Sequence, residues 1–249
     1  MNKKQIRLDK FLQLGLDLSR KEAQHWLKKK TVLLNGEVIK EGKQLINPRH
    51  DVITLAGERL TIPLTFRYFM LNKPSGFVSS HVDEGHPSLF RLLKEPKPRL
   101  LKIAGRLDAD TTGLTLLTDD GAWLHKVTHP NQALPKRYMV KLREPLTKKM
   151  TETLTRGVTL KEDDKPTLPA RLTLLDDFHC YLTIKEGRYH QVKRMLAAVG
   201  NQVLALNREQ IGSLSLGCLK EGEYRLLSEQ EVEDIFLNVG IEERRKCKK

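Results

Sequence analysis

The 249-residue chain predicts an α+β protein in two unequal parts: a small basic domain over residues 1–62, and a larger domain over 63–240 built on a mostly antiparallel sheet. Three observations carry this. Short strand-like runs ("RYFMLN", "LTLLT", "RYMVKL", "ARLTLL", "CYLTIK") recur from residue 67 onward, separated by turn residues. Few helices interrupt them, which is the pattern of an antiparallel sheet with helices at its edges. Residues 1–62 hold 13 Lys and Arg against 7 Asp and Glu, and their local signals spell a helix followed by a hairpin.

In the first part, Ser19 and Glu22 form an S-x-x-E capping box, which satisfies free amide donors at a helix start. Ala23, Trp26 and Leu27 then share one helical face, and Lys28, Lys29 and Lys30 place cations at the end where they complement the dipole. "TVLLNGEVI" reads as two strands joined by Asn35-Gly36, a pair suited to the positive φ angles of a type I′ turn. "DVITLAG" adds a strand, and "LTIPLTF" (60–66) reads as a linker. In the second part, "HQVKRMLAAVG" sets Val192, Met195, Leu196 and Val199 at i, i+3, i+4 and i+7, with Gly200 as C-terminal cap. Ser228 and Glu231 cap a closing helix, and residues 241–249 read as a charged, disordered tail.

Composition narrows the function classes. The net charge of +13 implies attraction to a polyanion, RNA or DNA first. No apolar run approaches a membrane span, and the N-terminus lacks the apolar block of a secretory signal, so a cytoplasmic protein is expected. The cysteines, Cys180, Cys218 and Cys247, are odd in number and scattered, which argues for reduced thiols and against a disulfide framework or a zinc site.

Residues 105–121, "GRLDADTTGLTLLTDDG", hold four carboxylates: Asp108, Asp110, Asp119 and Asp120. From Asp108 the spacing approaches a calcium-binding EF-hand loop, but the proline-rich "PKPRLLKIAGRL" before it is poor material for an entering helix. Position five is Thr112, position twelve is Asp119 rather than Glu, and a strand follows instead of a helix. Gly36, Gly42 and Lys43 have the wrong spacing for a phosphate-binding loop, and His125 and His129 lack the Glu of a helical zinc motif. A carboxylate on a loop after Arg106, opening into a buried strand, is what remains.

That loop resembles the active-site motif of the pseudouridine synthases, in the branch that carries an S4 RNA-binding domain. "LNKPSG" (71–76), "KRYMV" (136–140), "EGRYHQVKRM" (186–195) and "LNREQIGSLSLGCLKEGEYR" (206–225) resemble that family's other motifs in the right order. "RLDKFLQLGLDLSRKEAQHWLKKKTVLLNGEVI" resembles the S4 domain itself. The resemblance implies isomerisation of a uridine within RNA, without redox or group transfer and without a cofactor or metal. It is strongest to the small-subunit branch, which implies ribosomal RNA as partner, uridine 516 of 16S rRNA as target, a small-subunit assembly intermediate as substrate, and a monomeric enzyme away from membranes.

By the same resemblance Asp108 is the essential carboxylate, acting as nucleophile at the sugar or as a base on a sugar proton. Lys193 is its cationic partner. Tyr138 stacks on the target base, Ile211 packs beneath the site, and Arg106 supports the gap left by the extruded nucleotide. With the apolar face of the 191–199 helix turned to the core, Lys193 lies on its flank. Arg194 lies on its solvated side, where it suits phosphate. Arg7, Lys10, Arg20, Lys21 and Lys28 of the S4-like part are candidate RNA contacts, as are Lys73, Arg188 and Arg208. Asp110 is expected to shape the catalytic loop, and Asp119 and Asp120 to bond local amides in a turn.

Overall fold

Asn35 and Gly36 adopt φ angles of 52° and 91°, the left-handed geometry that the hairpin requires. In the computed structural model, which describes residues 5–48, 50–62 and 66–237, this turn joins two strands of the N-terminal part. The elements there run β1 (Ile6–Arg7), α1 (Leu8–Leu16), α2 (Arg20–Lys29), β2 (Val32–Leu34), β3 (Glu37–Ile39), β4 (Leu45–Ile46), β5 (Ile53–Leu55) and β6 (Glu58–Leu60). The Ser19–Glu22 capping box opens α2 with both reciprocal hydrogen bonds. Ala23 and Leu27 are buried with Leu8, Phe11 and Leu12 of α1 against Val32, Ile46 and Ile53. A β3-β2-β5-β6 sheet backs the two helices.

The chain divides into two compact units, one holding the residues up to Phe66 with Pro96–Leu101, the other Arg67–Glu95 with the chain from Lys102. The 96–101 segment belongs to the first through Arg99 Nε donating to Asp17 at 3.0 Å and Lys97 Nζ donating to the Leu14 carbonyl at 3.1 Å.

The second unit contains β7 (Tyr68–Lys73), β8 (Lys102–Ala104), β9 (Thr112–Thr118), α3 (Gly121–Thr128), β10 (Lys136–Leu142), α4 (Lys148–Arg156), β11 (Arg171–Leu174), β12 (His179–Ile184), α5 (Gln191–Ala198), β13 (Val203–Ile211), β14 (Leu214–Ser215), β15 (Tyr224–Leu226) and α6 (Glu229–Asp234). Its sheet has the order β11-β12-β10-β13-β9-β7-β15, with β14 on β13 and β8 on β9. Every pairing is antiparallel except β13 with β9. Alternation along β10 sends Tyr138, Val140 and Leu142 into one core with Leu182, Met195 and Leu196. Met70, Leu114, Leu116, Trp123 and Ile211 fill a second.

The parallel β13–β9 contact needs a glycine. Gly113 lies opposite Arg208 with φ 108°, and a Cβ there would collide with the Arg208 backbone. The Asp119–Asp120 turn is also the start of a helix. Asp120 caps α3 through the Ala122 and Trp123 amides and accepts from the Tyr68 hydroxyl, while Asp119 pairs with Arg67 at 2.8 Å.

Gly200, with φ 82°, follows α5 as expected, and the capping box at Ser228 opens α6. Cys180 is a free buried thiol, and Cys247 lies outside the described residues. Among the described residues no helix is long and apolar enough to cross a membrane. The expected tail, 241–249, lies outside the described residues, as do 63–65 of the expected linker.

Candidate active site

The loop carrying Asp108 leaves β8, runs under a cavity of about 620 Å³, and enters β9. Few of its backbone groups are free to move. Ser79 Oγ donates to the Leu107 carbonyl at 2.7 Å and accepts from the Leu107 amide at 3.0 Å. The Ala109 carbonyl accepts from the Gly76 amide at 2.8 Å and from Lys73 Nζ at 3.3 Å. Arg208 spans the loop from beneath, with Nη2 on the Gly105 carbonyl and Nε on the Leu114 carbonyl, each at 2.8 Å. The carboxylate is thereby held in place before any ligand arrives.

Asp108 is gripped at both oxygens. Lys193 Nζ lies 2.9 Å from Oδ2 and His190 Nε2 lies 3.2 Å from Oδ1. Lys193 also meets Asp110 at 2.6 Å, so Asp110 does more than shape the loop. Burial opposes the Lys193 charge, but hydrogen bonds to Asp110 and Asp108 outweigh it and hold the ammonium above the ordinary lysine range. Burial likewise opposes ionisation of Asp110, and the Lys193 hydrogen bond overrides it, keeping that carboxyl below its usual range. His190 takes a left-handed conformation, φ 47°, at the N-cap of α5; its side chain reaches Asp108 instead of capping the helix. Tyr189 stacks on it at 3.7 Å, is 72% exposed, and lines the cavity beside it.

Tyr138 lines the cavity, and its hydroxyl makes no hydrogen bond among the described residues. Arg106 also lines it; it is exposed and makes no ion pair among the described residues, leaving its guanidinium open to the solvent side. Ile211 is buried across from Lys136 in the sheet register, while the cavity wall itself is Ile184.

Several expected RNA contacts have other occupations. Lys73 is fully buried, its ammonium shared among the Pro74, Phe77 and Ala109 carbonyls; burial pushes its pKa down to about 8. Arg208 is 2% exposed and serves the loop carbonyls. Neither reaches a phosphate, because the guanidinium and ammonium are walled in by backbone they satisfy. Arg188 spends its donors on Glu186, Asp163 and the Lys165 and Pro166 carbonyls.

Arg194, expected to be solvated and open to phosphate, pairs with Asp163 at 2.6 Å and holds the Lys161 carbonyl, so with Arg188 it fastens the 161–166 segment to α5. In the N-terminal unit Arg7 is pinned to buried Asp9 at 2.6 Å, with Arg20 3.8 Å from the same carboxylate. Lys21 and Lys28 are exposed, and Lys10 is half-buried.

The sequence reading missed His190, Ser79 and Lys136. For His190 a signal existed: it stands three residues before Lys193, a spacing that puts both on one face of a helix start. His125 and His129 are neighbouring rings 4.8 Å apart, and no group of three metal-ligating side chains occurs among the described residues.

Comparison with known proteins agrees with this geometry. Residues 67–198 match the RNA pseudouridylate synthase family, and residues 6–53 match the S4 domain. The chain is 44% identical over 231 residues to the ribosomal small subunit pseudouridine synthase A of Haemophilus influenzae, covering 92% of this chain and 99% of that protein. It is 46% identical over 228 residues to the Pasteurella multocida protein of the same name, covering 91% and 98%. A solved structure described as a pseudouridylate synthase superposes with a TM-score of 0.68 at 43% identity, covering 92% of this chain and 99% of that one. A clamped carboxylate on the loop into β9, a cavity above it and an S4 domain ahead of it are thus accounted for together: the chain belongs to the RNA pseudouridylate synthase family and is a pseudouridine synthase.

Proposed function

We propose that this chain isomerises one uridine of small-subunit ribosomal RNA, uridine 516 of 16S rRNA, within a cytoplasmic assembly intermediate and as a monomer. The observation that carries the substrate class is near-full-length similarity to relatives whose names specify the small subunit. The +13 net charge and the exposed Lys21 and Lys28 suit a polyanionic partner.

Within the cavity, Asp108 attacks the sugar or removes its proton, held in place and oriented by Lys193 and His190. Tyr138 stacks on the extruded base. Extrusion costs a few kcal/mol, and Arg106, open to the solvent side, offsets part of it by occupying the vacated position. No resident cofactor is needed, since bonds within one nucleotide are exchanged.

Transcripts of 16S and 23S rRNA, each free and in precursor particles, distinguish the readings in a pseudouridine-formation assay. Product at uridine 516 in 16S, favoured in the particle, is expected. Product only in 23S reassigns the target, and binding without product in all four makes the chain an assembly factor rather than a catalyst for rRNA.

A further inference from the structure

Lys136 differs from the paired cations already described around the active-site loop and α5. Lys73 has three carbonyl partners, Lys193 two carboxylates, and Arg188, Arg194 and Arg208 have filled hydrogen-bond sets. Lys136 Nζ has one, the Leu134 carbonyl at 3.1 Å, which leaves two of its three donors unused among the described residues. The residue lines the same cavity as Asp108 and Tyr138. It precedes Tyr138 by two on β10, so the two side chains rise from one face of the strand. Its neighbours across both adjacent strands are apolar and buried, Ile184 and Ile211.

Among the described residues no carboxylate forms an ion pair with it. Glu186 is the acid whose charge reaches it, and that carboxylate is taken by the Leu168 amide, Gln191 and Arg188. Arg208, also within electrostatic range, adds repulsion. Burial lowers the ammonium pKa to about 8, so the group remains mainly charged at neutral pH. A half-desolvated, uncompensated cation is costly unless something in its working cycle supplies the missing acceptor.

We propose that Lys136 is a further catalytic residue, whose ammonium donates to a carbonyl oxygen of the target uracil and holds the ring after it detaches. When the N1–C1′ bond breaks, its electron pair leaves with the uracil, and the negative charge spreads over N1 and the ring carbonyl oxygens. An ammonium at that end of the cavity stabilises this charge more than it stabilises the neutral nucleoside. While the uracil is detached, C1′ is bonded to the Asp108 oxygen, or, by the base route, Asp108 holds the sugar proton; when C5–C1′ forms, the C1′–O bond breaks and the charge returns to the Asp108 carboxylate, or the proton returns to the sugar. C5 then loses its proton and N1 gains one, and Lys136 keeps its proton throughout. This rests on the pseudouridine-forming role of the cavity.

The test is single-turnover kinetics of Lys136→Met and Lys136→Arg beside wild type and Asp108→Asn, on whichever rRNA the wild type modifies, with RNA Kd and Tm measured for each. Met retains the aliphatic stem between the isoleucines and removes only the charge. Lys136→Met is expected to slow the chemical step by ~10²-fold, with Kd and Tm near wild type and partial recovery in Lys136→Arg. A rate within threefold of wild type overturns the proposal. So does a loss of rate that tracks a fall in Tm or RNA affinity without recovery by Arg, which is the signature of a strand-end cap on Leu134. Activity surviving in Asp108→Asn removes the site reading itself, independently of how Lys136 behaves.

Discussion

Asp108→Asn lowers pseudouridine formation by ~10³-fold or more while RNA affinity and folding stay near wild type. The substitution retains the shape of the side chain and an oxygen that can still accept from Lys193 at the 2.9 Å position. Lys193 does not become an orphan cation, because Asp110 remains its partner at 2.6 Å. The loop is held through backbone carbonyls and amides at Gly105, Leu107, Ala109 and Leu114, none of which the Asp108 side chain supplies. What disappears is a negative charge able to attack or accept a proton. Filter-binding affinity with a carbodiimide primer-extension assay reads the two effects separately. Product formation within tenfold of wild type contradicts the role given to Asp108.

Lys193→Met carries the second largest effect, a fall of ~10²-fold in turnover with little change in RNA affinity. Two carboxylates, Asp108 and Asp110, share this one ammonium, and its removal leaves them facing each other, with His190 on Asp108 and the buried Lys73 within electrostatic range of both. Arg194→Met, one residue along α5, behaves differently. Arg194 fastens Asp163 and the Lys161 carbonyl and does not line the cavity, so its loss lowers Tm while turnover at a permissive temperature holds. Measuring turnover and Tm for both variants separates them. The reverse pattern, turnover lost with Arg194 and kept without Lys193, exchanges their roles.

Much of this was legible in the chain. The capping boxes at Ser19 and Ser228, the Asn35-Gly36 turn and the apolar face of α5 are local signals whose physics acts within a few residues, and they are where the sequence places them. The place of Asp108 on a loop lining the cavity was legible through motif resemblance and by elimination of the calcium-loop alternative. Its pairing with Lys193 joins residues 85 positions apart.

The burial of cations was not legible. Lys73 and Arg208 look like any basic residue in a strongly basic chain, and only the fold reveals that one lies beneath Ala109 and the other spans Gly105 and Leu114. The internal ion pairs of Arg188 and Arg194 were hidden for a related reason. Their partner, Asp163, sits on a segment about thirty residues earlier, and no periodicity connects the two. The helix after Asp120 was missed because the Asp-Asp-Gly signal of a turn is also that of an N-cap.

The most direct test of the account is pseudouridine mapping on 16S rRNA from cells lacking this gene, complemented with wild type or with Asp108→Asn. The carbodiimide-dependent stop at uridine 516 is expected to be absent without the gene, to return with the wild-type chain, and to stay absent with Asp108→Asn. A stop that persists in the deletion, or that Asp108→Asn restores in full, contradicts it.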